Sequence, residues 1–107
     1  MIIYNVTINI EESIHEEWLS WIKNHIPVVL ATGKFTEARL TKVLVEEDME
    51  GVTYAIQYRA KSREDLDNYY KFDADKLKKE GLVKFADKML AFRTELEIID
   101  EYFVTIN

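Results

Sequence analysis

The two histidines are the side chains best suited to proton transfer near neutral pH. His15 and His25 are ten residues apart on one predicted helix, a separation of about 15 Å along the helix axis. One metal ion does not span that distance without further ligands, so we predict no metal site. His15 stands among glutamates and is interpreted as a surface residue of the first helical turns.

His25 is the weak candidate for catalysis. It directly precedes Ile26 and Pro27. Because proline has no amide hydrogen, a backbone carbonyl one turn earlier loses its helical partner, and one interpretation is a partly buried His25 that bonds such a carbonyl. The functional interpretation is a general acid or base at the mouth of a cleft. The sequence alone leaves both open.

Arg93 and Asn5 are the candidate ligand-binding residues. Arg93 and Glu95 lie two positions apart on the last predicted strand and share one face of it. Cross-strand pairing, or a salt bridge across a dimer seam, explains both residues. Alternatively, Arg93 binds a ligand carboxylate through two parallel hydrogen bonds. Asn5, with Thr7 on the first strand, is placed to orient a small polar ligand.

Composition excludes several classes of site. The sequence has no cysteine, which rules out disulfides, thiolate zinc sites, iron–sulfur clusters and cysteine nucleophiles. The formal charge of −6 disfavours nucleic acid and anionic membranes as partners, because both repel an acidic surface. No glycine-rich phosphate loop, Ser/His/Asp set or carboxylate pair stands out. We expect no cofactor.

The N-terminal half of the chain shows a strand followed by a helix. Residues 2–10 alternate with a period of two, which predicts a half-buried strand rather than a signal peptide, and we expect a cytoplasmic protein. Residues 12–31 change to helical spacing, with Ser13 as the cap. Pro27 is expected to bend or split this helix near residues 23–27.

A hairpin is predicted next. Residues 35–46 and 52–60 are both rich in strand-forming side chains, and the short acidic segment Asp48–Gly51 separates them. Two such runs around a glycine-containing turn are typical of a β-hairpin.

The C-terminal half predicts a second helical region and a last strand. Ser62 begins a sequence that resembles a capping box, so a long helix should follow, with Gly81 as the break before a shorter one. The last strand is predicted over residues 91–99. The tail, residues 100–107, either extends that strand or frays.

This order predicts one α+β domain over residues 1–107 with the ferredoxin-like topology β-α-β-β-α-β. Its four-stranded antiparallel sheet would carry both helices on one face; the alternative is a different strand order. Strand alternation places Asn5, Gln57, Arg59 and Arg93 on the open face, while the second strand is ambiguous. Because a small sheet covered on one side buries little surface, we predict a homodimer that packs two open faces together.

Several longer strings give the chain a resemblance to a known family. They are Met1-Ile-Ile-Tyr-Asn-Val-Thr, Trp18 with His25-Ile-Pro, Leu-Ala-Thr-Gly-Lys-Phe at residues 30–35, Lys42-Val-Leu-Val-Glu-Glu and Phe92-Arg-Thr-Glu-Leu-Glu. On these strings the chain resembles, nearly end to end, the bacterial domain-of-unknown-function family 4286. The resemblance implies no established activity and supplies no catalytic residues.

At a looser level the pattern is similar to the dimeric α/β-barrel superfamily, which includes cofactor-free monooxygenases, haem-degrading enzymes and small isomerases. The haem-degrading members use an Asn, a Trp and a His on the second helix. Asn5 matches the first of these, but both Trp and both His of this chain fall on the predicted first helix. The resemblance therefore does not extend to haem chemistry.

Two functions from different classes remain. The one we expect is a small non-catalytic homodimer that binds a small ligand or a protein partner. The alternative is a cofactor-independent monooxygenase-like or isomerase-like enzyme acting on a small aromatic or acidic molecule. In the enzyme, His25 would be the acid or base, and Arg93 or Asn5 would position the substrate. The sequence favours the first function because it offers only one plausible proton-transfer residue.

Overall fold

Helices cover one face of a four-stranded antiparallel sheet. The structure, a computed structural model, describes residues 1–44 and 50–105. Its main elements are β1 Ile2–Ile10, α1 His15–Leu30, β2 Phe35–Lys42, β3 Val52–Ala60, α2 Arg63–Phe72, α3 Ala74–Phe85 and β4 Met89–Glu97. The strand order is β2-β3-β1-β4, and neighbouring strands are antiparallel. The predicted ferredoxin-like fold is confirmed.

β1 lies in the centre of the sheet, paired with β3 on one side and β4 on the other. Its side chains alternate as predicted: Tyr4, Val6, Ile8 and Ile10 are buried against the helices. The opposite row, which begins at Ile3 and includes Asn5, is only half-buried because it lies on the open face. The central strand therefore divides the molecule into a core side and an open side.

The helices complete the core with large apolar side chains. Trp18 and Ile22 of α1 and Leu66 of α2 are fully buried over the sheet. Burying a side chain of this size contributes roughly 1.5–3 kcal/mol to stability. The helical spacing of Trp18 and Ile22, four residues apart, places both on the face of α1 that meets the sheet.

For α1, the split expected as one of two effects of Pro27 does not occur, and the expected cap is wrong. The helix is not split at Pro27, because α1 is one element from His15 to Leu30 and Pro27 lies in its last turn. Only one backbone hydrogen bond is lost there, and the Pro27 carbonyl still accepts from the N–H of Ala31. Ser13 does not cap the helix; it lies within a 3-10 turn, and its hydroxyl donates to the Glu11 carboxylate at 3.3 Å.

The second helical region breaks at Asp73 and not at Gly81. The predicted cap is confirmed, since the Ser62 hydroxyl accepts a hydrogen bond from the N–H of Asp65 at 3.1 Å. Gly81 is instead buried inside α3. A Cβ atom there would lie 3.1 Å from the ring of Trp21, so glycine permits a close approach between α3 and α1.

The expected orientation of β4 is also wrong. In an antiparallel pair, directly opposed residues point to the same side of the sheet. Arg93 is opposite Val6 and Glu95 is opposite Tyr4, so both lie on the helix side and not on the open face. β4 is an edge strand that the helices cover only in part, and its polar residues can therefore face the helix layer while remaining in contact with water.

The hairpin and the tail differ from their predicted bounds. β2 ends at Lys42 and places Arg39 and Thr41 on the open face, opposite Gln57 and Ala55. Residues 48 and 49 of the predicted turn lie outside the described residues, but Gly51 has a φ of +84°, as a tight turn requires. Residues 98–105 follow β4 without regular structure. Within the described part of the chain, no helix is long and apolar enough to cross a membrane.

Candidate functional site

A cavity of about 50 Å³ lies between the sheet and helices α1 and α3. Its walls are mainly apolar, formed by Val6 and Ile8 of β1, Trp21 and Ile22 of α1 and Leu77 of α3. A space of this size has room for a few water molecules or one small organic group. The β1–β4 register and the close packing of α3 on α1 create it.

Arg93 lines this cavity from β4. Its side chain is exposed at the mouth, and its guanidinium lies close enough to Tyr4 to influence the hydroxyl. Burial raises the pKa of Tyr4, and the positive charge of Arg93 opposes that shift. Among the described residues, no carboxylate forms an ion pair with Arg93. A guanidinium in this position is free to bind an anion.

Glu95 would be the natural partner for Arg93, but it is engaged elsewhere. Its carboxylate accepts two hydrogen bonds from Arg63 of α2, at 2.6 and 3.1 Å, and one from the Tyr70 hydroxyl at 2.5 Å. Arg63 and Tyr70 lower the pKa of Glu95 to about 2. Arg93 and Glu95 do share one face of β4, as predicted, but Glu95 joins α2 to β4 and leaves Arg93 unpaired.

Lys78 is the second cation on the cavity wall. It is half-buried on α3, and burial together with the like charge of Arg93 lowers the pKa of its ammonium group, while Asp75 acts in the opposite direction. None of the ion pairs between described residues includes Lys78. Two positive groups therefore meet at one apolar cavity in a chain whose net charge is −6.

His25 lies in the wall of the same cavity. Its ring stacks on Trp21 with the centroids 4.4 Å apart, and its Nδ1 atom is 3.6 Å from the Glu80 carboxylate. Burial lowers the pKa of His25 and Glu80 partly opposes the shift, so the imidazole is neutral at pH 7. These partners, rather than a carbonyl near Pro27, define its environment in the described structure.

Three tyrosine side chains add polar groups to this mainly apolar site. Tyr4, Tyr58 and Tyr69 are buried and line the cavity, with the Tyr4 ring 6.1 Å from that of Tyr58 and 5.7 Å from that of Tyr69. Burial is the largest effect on Tyr58 and Tyr69, and it raises the pKa of both phenols. Each therefore keeps its proton at neutral pH and can donate a hydrogen bond.

Asn5 does not belong to this site. It is on the open face of the sheet, opposite Gln57 and Thr94, and its amide donates to the hydroxyls of Thr7 and Thr94 at 3.3 Å. The structure thus separates the two predicted ligand-binding residues, because Asn5 and Arg93 lie on opposite faces. It brings Arg93 together with His25 instead.

Sequence reasoning missed Lys78, which was not singled out among the lysines of this region. A signal was present in the helical spacing. Lys78 is four residues after Ala74 and three before Gly81, and both of these small residues are buried. A lysine at that spacing lies beside the face of α3 that packs on the core.

Comparison with known protein families finds one that matches most of the chain. The family described as Domain of unknown function (DUF4286) matches residues 1–99. The chain belongs to this family. No protein with a curated description matches the sequence. The DUF4286 assignment agrees with the resemblance drawn from the sequence strings and carries no established activity.

Solved structures share the fold of this DUF4286 chain. A dimeric ferredoxin-like protein from an uncultured marine organism has a TM-score of 0.74 at 11% identity, with 94% of this chain and 97% of that chain covered. An ethyl tert-butyl ether d (ethd) family protein from Bacillus halodurans has a TM-score of 0.66 at 15% identity, with 91% and 98% covered. A candidate antibiotic biosynthesis monooxygenase from Deinococcus radiodurans has a TM-score of 0.58 at 11% identity, with 100% of both chains covered.

Proposed function

We propose that this protein is a cytoplasmic homodimer that binds a small organic acid in the cavity between its sheet and its helices. The observation that carries the proposal is the position of Arg93, a guanidinium at the mouth of an apolar cavity with no carboxylate ion pair among the described residues. Arginine in such a place binds carboxylates through two parallel hydrogen bonds.

The rest of the cavity supports an acid with an apolar body. Trp21, Ile22 and Leu77 offer apolar surface, while Lys78 strengthens the positive potential around Arg93. The Tyr58 and Tyr69 hydroxyls supply donors deeper in the site. Ligand sites of this kind combine an apolar lining with a few convergent polar groups.

The test uses benzoate as the probe and Trp21 as the reporter. We expect Arg93→Gln to weaken benzoate binding about tenfold or more, because a charge-assisted pair contributes roughly 1.5–3 kcal/mol. Arg39→Gln is the matched control, since it removes the same charge from the open face. Titration followed by Trp fluorescence and calorimetry measures both variants. Equal affinities for the Arg93 and Arg39 variants would contradict the proposal.

The homodimer is supported by the apolar residues that β4 presents on the open face. Leu90, Phe92 and Leu96 point to that side and are each about half exposed. Thr94 lies between Phe92 and Leu96 in this row. Exposed apolar residues clustered among polar ones are typical of a protein–protein contact. One solved structure of the same fold is that of a dimeric protein.

A second function, cofactor-independent proton transfer on the bound acid, is favoured by His25. Its neutral imidazole lines the cavity and contacts Glu80, and a base oriented by a carboxylate suits that chemistry. In such an enzyme, His25→Ala would abolish exchange of the α-proton of mandelate with deuterium oxide and leave mandelate affinity within about twofold. Proton exchange that persists in His25→Ala would contradict a role of His25 as the acid or base.

A further inference from the structure

Lys78 is the lysine that lines the cavity, and the proposed carboxylate site does not require it. Arg93 alone can bind one carboxylate through two hydrogen bonds. Lys76 and Lys79, on either side of Lys78 along α3, are exposed to solvent. Lys78 is half-buried and faces apolar side chains instead.

The surroundings of Lys78 lower the pKa of its amine. A guanidinium stays protonated at any pH a folded protein tolerates, so of two adjacent cations the lysine is the one that loses its proton more readily. Arg93 of β4 acts on Lys78 across the cavity, and Asp75 of its own helix is the described carboxylate that opposes this effect. Lysines made nucleophilic in enzymes are found in this setting, desolvated and beside a second cation.

We propose that the ε-amino group of Lys78 forms an imine with the carbonyl carbon of a small oxo acid whose carboxylate is bound by Arg93. The proposal rests on the function proposed above, because it uses the same cavity and the same carboxylate contact. The ligand class it names is acids that carry a ketone or aldehyde group next to the carboxylate.

The reaction balances without a further reagent. The nitrogen lone pair of Lys78 attacks the carbonyl carbon, and the electrons of the C=O bond move to its oxygen. A proton passes from nitrogen to that oxygen to give a carbinolamine. The second proton of the nitrogen is then transferred to the hydroxyl oxygen, which leaves as water while the nitrogen lone pair forms the C=N bond. The neutral ring of His25, in the same cavity, is placed to carry these protons.

The experiment traps the imine with sodium cyanoborohydride in the presence of benzoylformate. Peptide mass mapping of the full chain is expected to find the reduced adduct at Lys78 in large excess over Lys76 and Lys79. Lys78→Arg keeps the positive charge but cannot form an imine, so it should lose this adduct. Lys76→Arg, the matched control on the same helix, should keep the adduct, and circular dichroism verifies that both variants fold.

The carboxylate site is measured separately with mandelate, which has a hydroxyl group where benzoylformate has its ketone. Lys76→Arg, on the exposed side of α3, should bind mandelate within about threefold of the unmodified protein. Mandelate binding that depends on Arg93, together with labelling no greater at Lys78 than at Lys76, would overturn the imine and leave the proposed function standing. Loss of mandelate binding in the unmodified protein would overturn the proposed function. Selective labelling of Lys78, together with mandelate binding that depends on Arg93, supports the imine.

Discussion

At the scale of single residues, the charge of Arg93 is available because a neighbouring carboxylate is engaged elsewhere. Glu95 shares the helix side of β4 with Arg93, yet its oxygens are taken by Arg63 and Tyr70 of α2. The sequence indicated an Arg and a Glu on one strand face. It could not indicate which of them a side chain from another helix would neutralise, because that depends on how α2 packs.

The Glu95 contacts predict a pH dependence of stability. The pKa of Glu95 is lowered from 4.5 to about 2 in the folded protein, so its stabilising effect is present above pH 4.5 and disappears as the pH falls towards 2. Urea unfolding of Glu95→Gln should show a loss of stability at pH 7 that shrinks steadily below pH 4.5.

Glu97→Gln provides the control for this measurement. Glu97 lies on the same face of β4, two residues further along, and none of the ion pairs between described residues includes it. The Glu97→Gln substitution should change the free energy of unfolding little at pH 7 and at pH 3. A Glu95→Gln effect that stays constant from pH 7 to pH 3 would contradict the assigned role of Glu95.

At the scale of elements, the strands were easier to predict than the helices. β1 alternates because one of its sides is buried along its whole length, and the structure confirms that pattern. The helix break was placed at Gly81 because glycine weakens isolated helices. In the fold, Gly81 allows α3 to approach α1, and the chain turns at Asp73, where an ion pair with Lys34 ties the junction to the loop before β2.

The close approach at Gly81 predicts the effect of a larger side chain. Gly81→Leu should destabilise the protein by roughly 1–3 kcal/mol, because overpacking forces neighbouring side chains from their preferred rotamers. The added atoms would meet Trp21 and Met89, so Trp fluorescence should shift at the same time. Lys79→Leu, on the exposed side of α3, is the control. An unchanged urea midpoint for Gly81→Leu would contradict this packing.

At the scale of the whole molecule, the proposed homodimer depends on the open face. Phe92 is 55% exposed there, on the side away from the helices. We expect Phe92→Glu to convert the dimer to a monomer at micromolar concentration, because two carboxylates would be forced into an apolar seam. Light scattering after size-exclusion chromatography measures the change.

The control for this experiment is an equally drastic change on the helix layer. Val83 of α3 is 74% exposed on the other side of the molecule, and Val83→Glu should leave the mass unchanged. A protein that is monomeric without any substitution would contradict the homodimer. The face of Phe92 could not be predicted from the alternation of β4, because the polar residues of an edge strand tolerate either side.

The two surfaces of β4 have a thermodynamic consequence. This strand carries Arg93 towards the cavity and Phe92 towards the open face, on consecutive residues. If an acid binds and the chain dimerises as proposed, any shift of β4 that strengthens acid binding also alters the surface offered to the second subunit. Acid binding and dimerisation are then thermodynamically linked. If the bound acid raises the association constant of the dimer by some factor, dimerisation raises the affinity for the acid by the same factor.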